Sequence, residues 1–212
     1  MRLNKYLSRS GVASRRKSDE LIKMATTTVN NKIILDPAYD VGENDEIRYD
    51  GKLLKVNKEI IVIVFNKPKN VITTVYDPFN RKTVMDYIQH KKRLVPVGRL
   101  DKDSTGLLLL TNDGDLHHLL THPKNQVIRE YDVSIDRIIK TGEIHRMNKG
   151  VNIGEGEIGK AKVFNQHSIK GRVKVRLILK QGKKREIRRI FRTLKIKLFD
   201  LKRVSFAGIE LN

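Results

Sequence analysis

The chain has 212 residues, 39% of them apolar and none of them cysteine. That length supports one domain or two unequal ones, and the lack of cysteine removes disulfides, thiolate zinc sites and thiol nucleophiles. A net charge of +20 exceeds what solubility asks for and points to a polyanionic partner.

No apolar run approaches the roughly 18 residues of a membrane span. No charged, apolar, small-residue leader pattern opens the chain. The expectation is a cytoplasmic protein without membrane association.

The first elements in chain order are helical. Leu3, Tyr6 and Leu7 share a helical face, Gly11 stops that helix, and Ser14 can cap a second running to about Met24 with Leu21 and Ile22 inward. Thr26 to Val29 and Ile33 to Leu35 then flank the hairpin-turn pair Asn30-Asn31, and Asp50-Gly51 marks another turn. The polar stretch Asp50 to Glu59 reads as a boundary, giving a small module over 1–57 and a larger domain over 58–212.

Beyond it the pattern turns to strands. Ile60 to Phe65, Val71 to Val75, Leu94 to Val97, Leu107 to Leu110, Tyr131 to Ile135 and Val173 to Lys180 all read so, the last with Val173, Val175, Leu177 and Leu179 on one face. Helices are expected at Val84 to Lys91, Asp115 to Leu120, Thr141 to Lys149 and Arg185 to Lys195. The fold class is α+β, with a mixed, mostly antiparallel sheet and flanking helices in the larger domain.

Charge is concentrated at both ends. Met1 to Lys23 carries seven basic residues against two acids, and Lys170 to Arg203 fifteen against two. Such single-sign clusters suit a phosphate backbone. In the second helix Arg15, Arg16 and Lys17 occupy the first turn, where the helix dipole disfavours cations unless an anion lies across it. Nearby Lys5 and Arg9 extend that basic surface. On a wheel at 100° per residue, Ile187, Ile190, Phe191 and Leu194 form an apolar stripe in the last helix. Arg185, Arg188, Arg189 and Arg192 form a second stripe about 160° away, and Arg188, nearest the border, is the one placed to turn towards a buried carboxylate.

That carboxylate is sought in GRLDKDSTGLLLLTNDGDL, Gly98 to Leu116, where Asp101 and Asp103 precede four leucines. A calcium loop would need a glutamate at its twelfth position, and Asn112 stands there. An aspartyl phosphotransferase would need Asp101 directly at the end of a buried parallel strand, and Gly98-Arg99 intervene; that reading stays as a minor alternative. The G-x-G-x-x-G at Gly154 to Gly159 is acidic and reads as a polar hairpin. His117, His118 and His122 lack an acidic or cysteine partner for a metal. A metal-free carboxylate held ionised by an arginine, or an aspartate that merely caps a turn, are the remaining readings.

The segment Gly98 to Leu116 resembles the catalytic motif of RNA pseudouridine synthases, in particular the RsuA branch acting on ribosomal RNA. RLNKYLSRSGVASRRKSDELI resembles an S4 RNA-binding domain, and VFNKPKNVITT, THPKNQVIREYDV and QGKKREIRRIF resemble the family's other motifs, in the family's order. Asn70 stands where the family commonly has glycine, and KMATTTVNNK where it usually has Gly and Arg.

The resemblance implies isomerisation of a uridine without cofactor or metal. Asp101 takes the place of the catalytic aspartate, Tyr131 of the base-stacking tyrosine, Arg188 of the arginine paired with the aspartate, and Arg99 of the one holding the flipped nucleotide. RNA contacts are expected from Lys5, Arg9, Arg15, Arg16, Lys17, Lys67, Lys184, Arg185, Arg189 and Arg192. Large-subunit ribosomal RNA is the expected substrate and a monomer the expected state. A non-catalytic RNA-binding or ribosome-assembly factor, or a synthase for small-subunit rRNA or tRNA, are the alternatives.

Overall fold

The computed structural model describes residues 1–56 and 59–211. They form two compact units: Met1–Ile61 with the short returns His90–Leu94 and Asn112–Gly114, and the remainder. The expected boundary between positions 57 and 58 lies outside the described residues.

In the first unit, α1 (Leu3–Arg9) and α2 (Arg15–Lys23) bury Leu3, Leu7 and Ile22 against Val29, Val41 and Ile47. Ser14 caps α2, its hydroxyl accepting from the Lys17 amide at 3.2 Å. Strands β1 (Thr27–Val29), β2 (Lys32–Ile33), β3 (Ile47–Tyr49) and β4 (Lys52–Leu53) form one sheet in the order β2-β1-β3-β4. Both of its two-residue hairpin loops are left-handed at each position: Asn30 and Asn31 at φ 50° and 64°, Asp50 and Gly51 at 46° and 74°.

The second unit is built on a larger sheet. Its strands are β5 (Val62–Lys67), β6 (Val95–Pro96), β7 (Thr105–Thr111), β8 (Arg129–Ile135), β11 (Lys162–Ile169), β12 (Arg172–Leu179), β13 (Leu198–Phe206) and β14 (Ile209–Glu210). The order is β11-β12-β8-β13-β7-β5, with β14 on β13 and β6 on β7; β13 pairs with β7 in parallel. The hairpin β9 (Val151–Asn152) and β10 (Ile158–Gly159) encloses the glycine-rich segment, as its acidic character predicted. Helices are α3 (Gly114–Thr121), α4 (Thr141–Lys149) and α5 (Glu186–Thr193).

Strand β12 follows its expected alternation, burying Val173, Val175, Leu177 and Leu179. These pack with Met147 of α4 and with Ile187, Ile190 and Phe191 of α5, so α4 and α5 cover one face of the sheet. Leu107 to Leu110 are all buried because β7 is central: Leu108 packs with Val71, Val84 and Leu100, while Leu107 and Leu109 pack with Val97 and Phe206 on the other face.

Three expectations are corrected. Val71 to Val75 is no strand: a single bridge, Ile72 to Thr83, forms, because the Thr73 hydroxyl is hydrogen-bonded to the backbone of Leu100 on both sides. The helix expected at Val84 to Lys91 is a 3-10 turn, Val84–Tyr87, capped by Thr83 and Asp86. The last helix begins at Glu186, and Arg185 precedes it with a left-handed φ of 53°, so the wheel does not apply to that side chain.

Candidate active site

Asp101 lies in the loop between β6 and β7, and that loop is fastened from beneath. Thr73 Oγ1 donates to the Leu100 carbonyl at 2.8 Å, and the Asn70 amide donates to the Lys102 carbonyl at 2.8 Å. Asn70 sits at φ 66°, a left-handed position that asparagine tolerates better than most residues, which explains how it stands where glycine is common. The Ser104 amide returns to the Asp101 carbonyl at 3.0 Å.

Lys67 was expected to touch RNA; the fold corrects this. The side chain is fully buried at the end of β5, and its Nζ donates to the carbonyls of Ser104 (2.7 Å), Pro68 (2.9 Å) and Lys102 (3.3 Å). Burial lowers its pKa from the usual lysine value to about 8, with Asp103 and Asp101 opposing that shift. The ammonium is a brace for the aspartate loop.

From the opposite direction α5 delivers Arg188. Its Nε lies 3.5 Å from Asp101 Oδ2, and its Nη2 donates to the buried Ser104 hydroxyl at 3.3 Å. The Asp101 side chain is 38% exposed, so the carboxylate is paired yet open to a substrate. A cleft of about 80 Å³ gathers Arg99, Asp101, Ser104, Tyr131, Arg188 and Leu201. Arg99 itself is exposed.

Tyr131, half-buried on β8, stands directly across the ladder from Arg203 of β13. Arg203 is only 2% exposed, its Nε donating to the Leu107 carbonyl at 2.7 Å and its guanidinium lying 4.7 Å over the Phe206 ring. Burial lowers its pKa, and the Tyr131 hydroxyl, charge and hydrogen bond together, offsets part of that. Sequence reasoning missed Arg203. The signal was available: in Leu198 to Phe206 the inward phase of an alternating strand falls on Leu201, Arg203 and Ser205.

The remaining expected RNA contacts divide. Arg15, Arg16, Lys17, Lys184, Arg185 and Arg192 are exposed, while Lys5 and Arg9 are half-buried. Arg189 is otherwise engaged: its side chain, 11% exposed, pairs with Glu157 at 2.5 Å and Glu155 at 3.5 Å and donates to the carbonyls of Ile153 and Gly154. It braces the β9-β10 hairpin against α5. Among the described residues no three His, Asp or Glu side chains converge as a metal site would; the His118 and His122 rings lie 4.8 Å apart, and burial lowers the His117 pKa.

Residues 61–193 match the RNA pseudouridylate synthase family, and residues 1–47 match the S4 domain. The chain belongs to the RNA pseudouridylate synthase family. It is 35% identical to ribosomal large subunit pseudouridine synthase B of Bacillus subtilis (strain 168), over 99% of this chain and 87% of that protein. It is 34% identical to the dual-specificity RNA pseudouridine synthase RluF of Escherichia coli (strain K12), over 100% and 73%. A crystal structure of a pseudouridylate synthase superposes with a TM-score of 0.68 at 25% identity, covering 100% of this chain and 91% of that one. The protein is thus an RNA pseudouridine synthase with an N-terminal S4 domain, and the loop bearing Asp101 lies within the family-matched segment.

Proposed function

We propose that this synthase isomerises a uridine of large-subunit ribosomal RNA, with Asp101 as the acting carboxylate. The observation that carries the residue assignment is the Asp101–Arg188 pair at 3.5 Å, open to solvent beside Tyr131. The substrate assignment rests on the near full-length likeness to a protein named for the large subunit.

In this reading the target nucleotide is turned out of its stack, and Tyr131 offsets the lost stacking. Arg99, exposed at the mouth of the cleft, holds the extruded nucleotide. Arg188 pairs with Asp101 and aims its carboxylate. The N1–C1′ bond breaks, the base turns, C5 joins C1′, the C5 proton leaves and N1 gains one. No cofactor or metal takes part, and the protein works as a cytoplasmic monomer. The exposed first turn of α2 and the exposed side of α5 hold RNA by its backbone.

The test is release of tritium from uridine C5 in unmodified rRNA, by wild type and by Asp101→Asn, followed by mapping of the product. Release by wild type alone supports the assignment. Tight binding without release supports a non-catalytic RNA-binding factor, and product in small-subunit rRNA or tRNA moves the substrate.

A further inference from the structure

Beyond Tyr131 lies a space of about 890 Å³, far larger than the cleft of about 80 Å³ at Asp101. The two share Arg99, Tyr131 and the segment Gln181 to Lys183, so they are continuous. Its lining contains no Asp or Glu. In a chain with 24 acids that is a departure, because seven cations line it.

Those cations form two groups. Arg129, Lys183 and Arg203 build the wall: Arg129 donates to the carbonyl of Val127 at 2.7 Å and Lys183 to that of Ile158 at 2.6 Å. Arg203 is buried, and its Nη2 has no hydrogen-bond partner among the described residues. A buried guanidinium nitrogen without an acceptor is costly unless something else supplies one. Lys160, Lys162 and Lys180, together with Arg99, are exposed on the same space. The volume falls in the range of roughly 300–1,000 Å³ that encloses a small ligand, enough for a nucleotide or two.

We propose that this cavity is the channel for the RNA strand adjoining the target uridine, holding the phosphates of the neighbouring nucleotides on Lys160, Lys162 and Lys180. It rests on the synthase reading, and it adds a second binding element: the cleft at Asp101 takes one base, while the acid-free channel takes the backbone on one side of it. Gathering seven cations on one space whose lining holds no carboxylate is unfavourable in the free protein and is relieved when a polyanion enters. The rim lysines are the contacts and the buried Arg203 is the floor.

The test uses the full chain and a fluorescently labelled twelve-nucleotide oligouridylate, comparing wild type with Lys160→Ala/Lys162→Ala/Lys180→Ala. Each single-strand phosphate contact contributes about 0.7 to the slope of log affinity on log salt, so the triple variant is expected to lose about 2 from that slope. With an rRNA fragment bearing the mapped uridine, methylphosphonate at the one to three positions on one side of it is expected to weaken wild-type binding. The same neutralisation is expected to leave the variant unaffected, and the variant's loss of turnover is expected in KM. An unchanged salt slope, or methylphosphonate losses that add fully to those of the variant, overturns the channel. Absence of tritium release by wild type would instead count against the synthase reading, because the binding slope is measured without turnover.

Discussion

The ammonium of Lys67 donates to the carbonyl of Ser104 at 2.7 Å, and the hydroxyl of that same serine accepts from Arg188 at 3.3 Å. One residue thus receives the brace from β5 on its backbone and the arginine from α5 on its side chain. The position of Asp101 relative to Arg188 depends on both. Replacing Lys67 by methionine removes a donor from the carbonyls of Pro68, Ser104 and Lys102, of which Lys102 keeps the Asn70 amide. The expected cost is about 1–3 kcal/mol of stability and, from loss of loop placement, about 100-fold in kcat. RNA binding by the S4 domain is expected to persist. Urea unfolding together with filter binding and tritium release separates the three; full activity in Lys67→Met would remove the brace from the account.

The same lysine gives a pH signature. Its folded pKa of about 8 lies below the unfolded value of 10.5, so between those pH values the unfolded chain carries a proton that the folded chain has lost. Stability then rises with pH across that window, and below about pH 8 the native state bears the cost of the buried charge. Relative to Lys67→Met, wild type is expected to gain stability from pH 7.5 to pH 10, by no more than about 3 kcal/mol. A wild-type-to-variant difference independent of pH would show that the ammonium is not depressed.

Much of this arrangement was legible because its signals are periodic. Leu3, Tyr6 and Leu7 at helical spacing, the alternation of β12 and the apolar stripe of α5 each identify an element and its inward face. What escaped detection were charged residues in inward phases. Lys67 ends an apolar strand where a lysine is normally taken as solvent-facing, and two of its three carbonyl partners, Lys102 and Ser104, come from a segment remote in sequence. Strand β13 was missed because Asp200, Lys202 and Arg203 interrupt its apolar character, although Leu201, Arg203 and Ser205 keep the period of two. Arg189 shows the converse: it shares a helix with the exposed Arg192, but Glu155 and Glu157 on a separate hairpin take its charge.

Gly106 provides a test of the sheet beneath the site. Its φ is +101°, and a Cβ there would lie 2.1 Å from the Arg203 carbonyl oxygen, at the point where β7 and β13 pair in parallel. Backbone cannot yield as a side-chain tip does. Gly106→Ala is expected to cost more than about 3 kcal/mol, visible as a lowered Tm or as insoluble protein, and to abolish tritium release with it. Gly171, also at positive φ but with no atom within 4 Å of its Cβ position, separates conformational strain from the clash: Gly171→Ala is expected to cost about 1 kcal/mol. Equal losses at both positions would mean that the close approach of the strands is unimportant.

Arg203 and Tyr131 provide the last test. They face each other across the β8-β13 ladder, and the guanidinium is held by the Leu107 carbonyl at 2.7 Å and by Phe206. That mounting fixes the donor before any substrate arrives, so the Tyr131 hydroxyl meets a stationary partner. Arg203→Met removes the donor and a costly buried charge together, and the change in stability is expected to stay within about 1–2 kcal/mol because the two effects oppose each other. Turnover is expected to fall about 10- to 100-fold in kcat, because the Tyr131 ring that stacks on the target base loses the anchor on its hydroxyl, with Arg203→Lys recovering part of it. A structural role alone would lower the amount of folded enzyme and leave kcat per folded molecule unchanged. In a Tyr131→Phe background, which removes the hydroxyl, Arg203→Met should have little further effect on kcat. Full additivity of the two losses would show that Arg203 does not act through Tyr131.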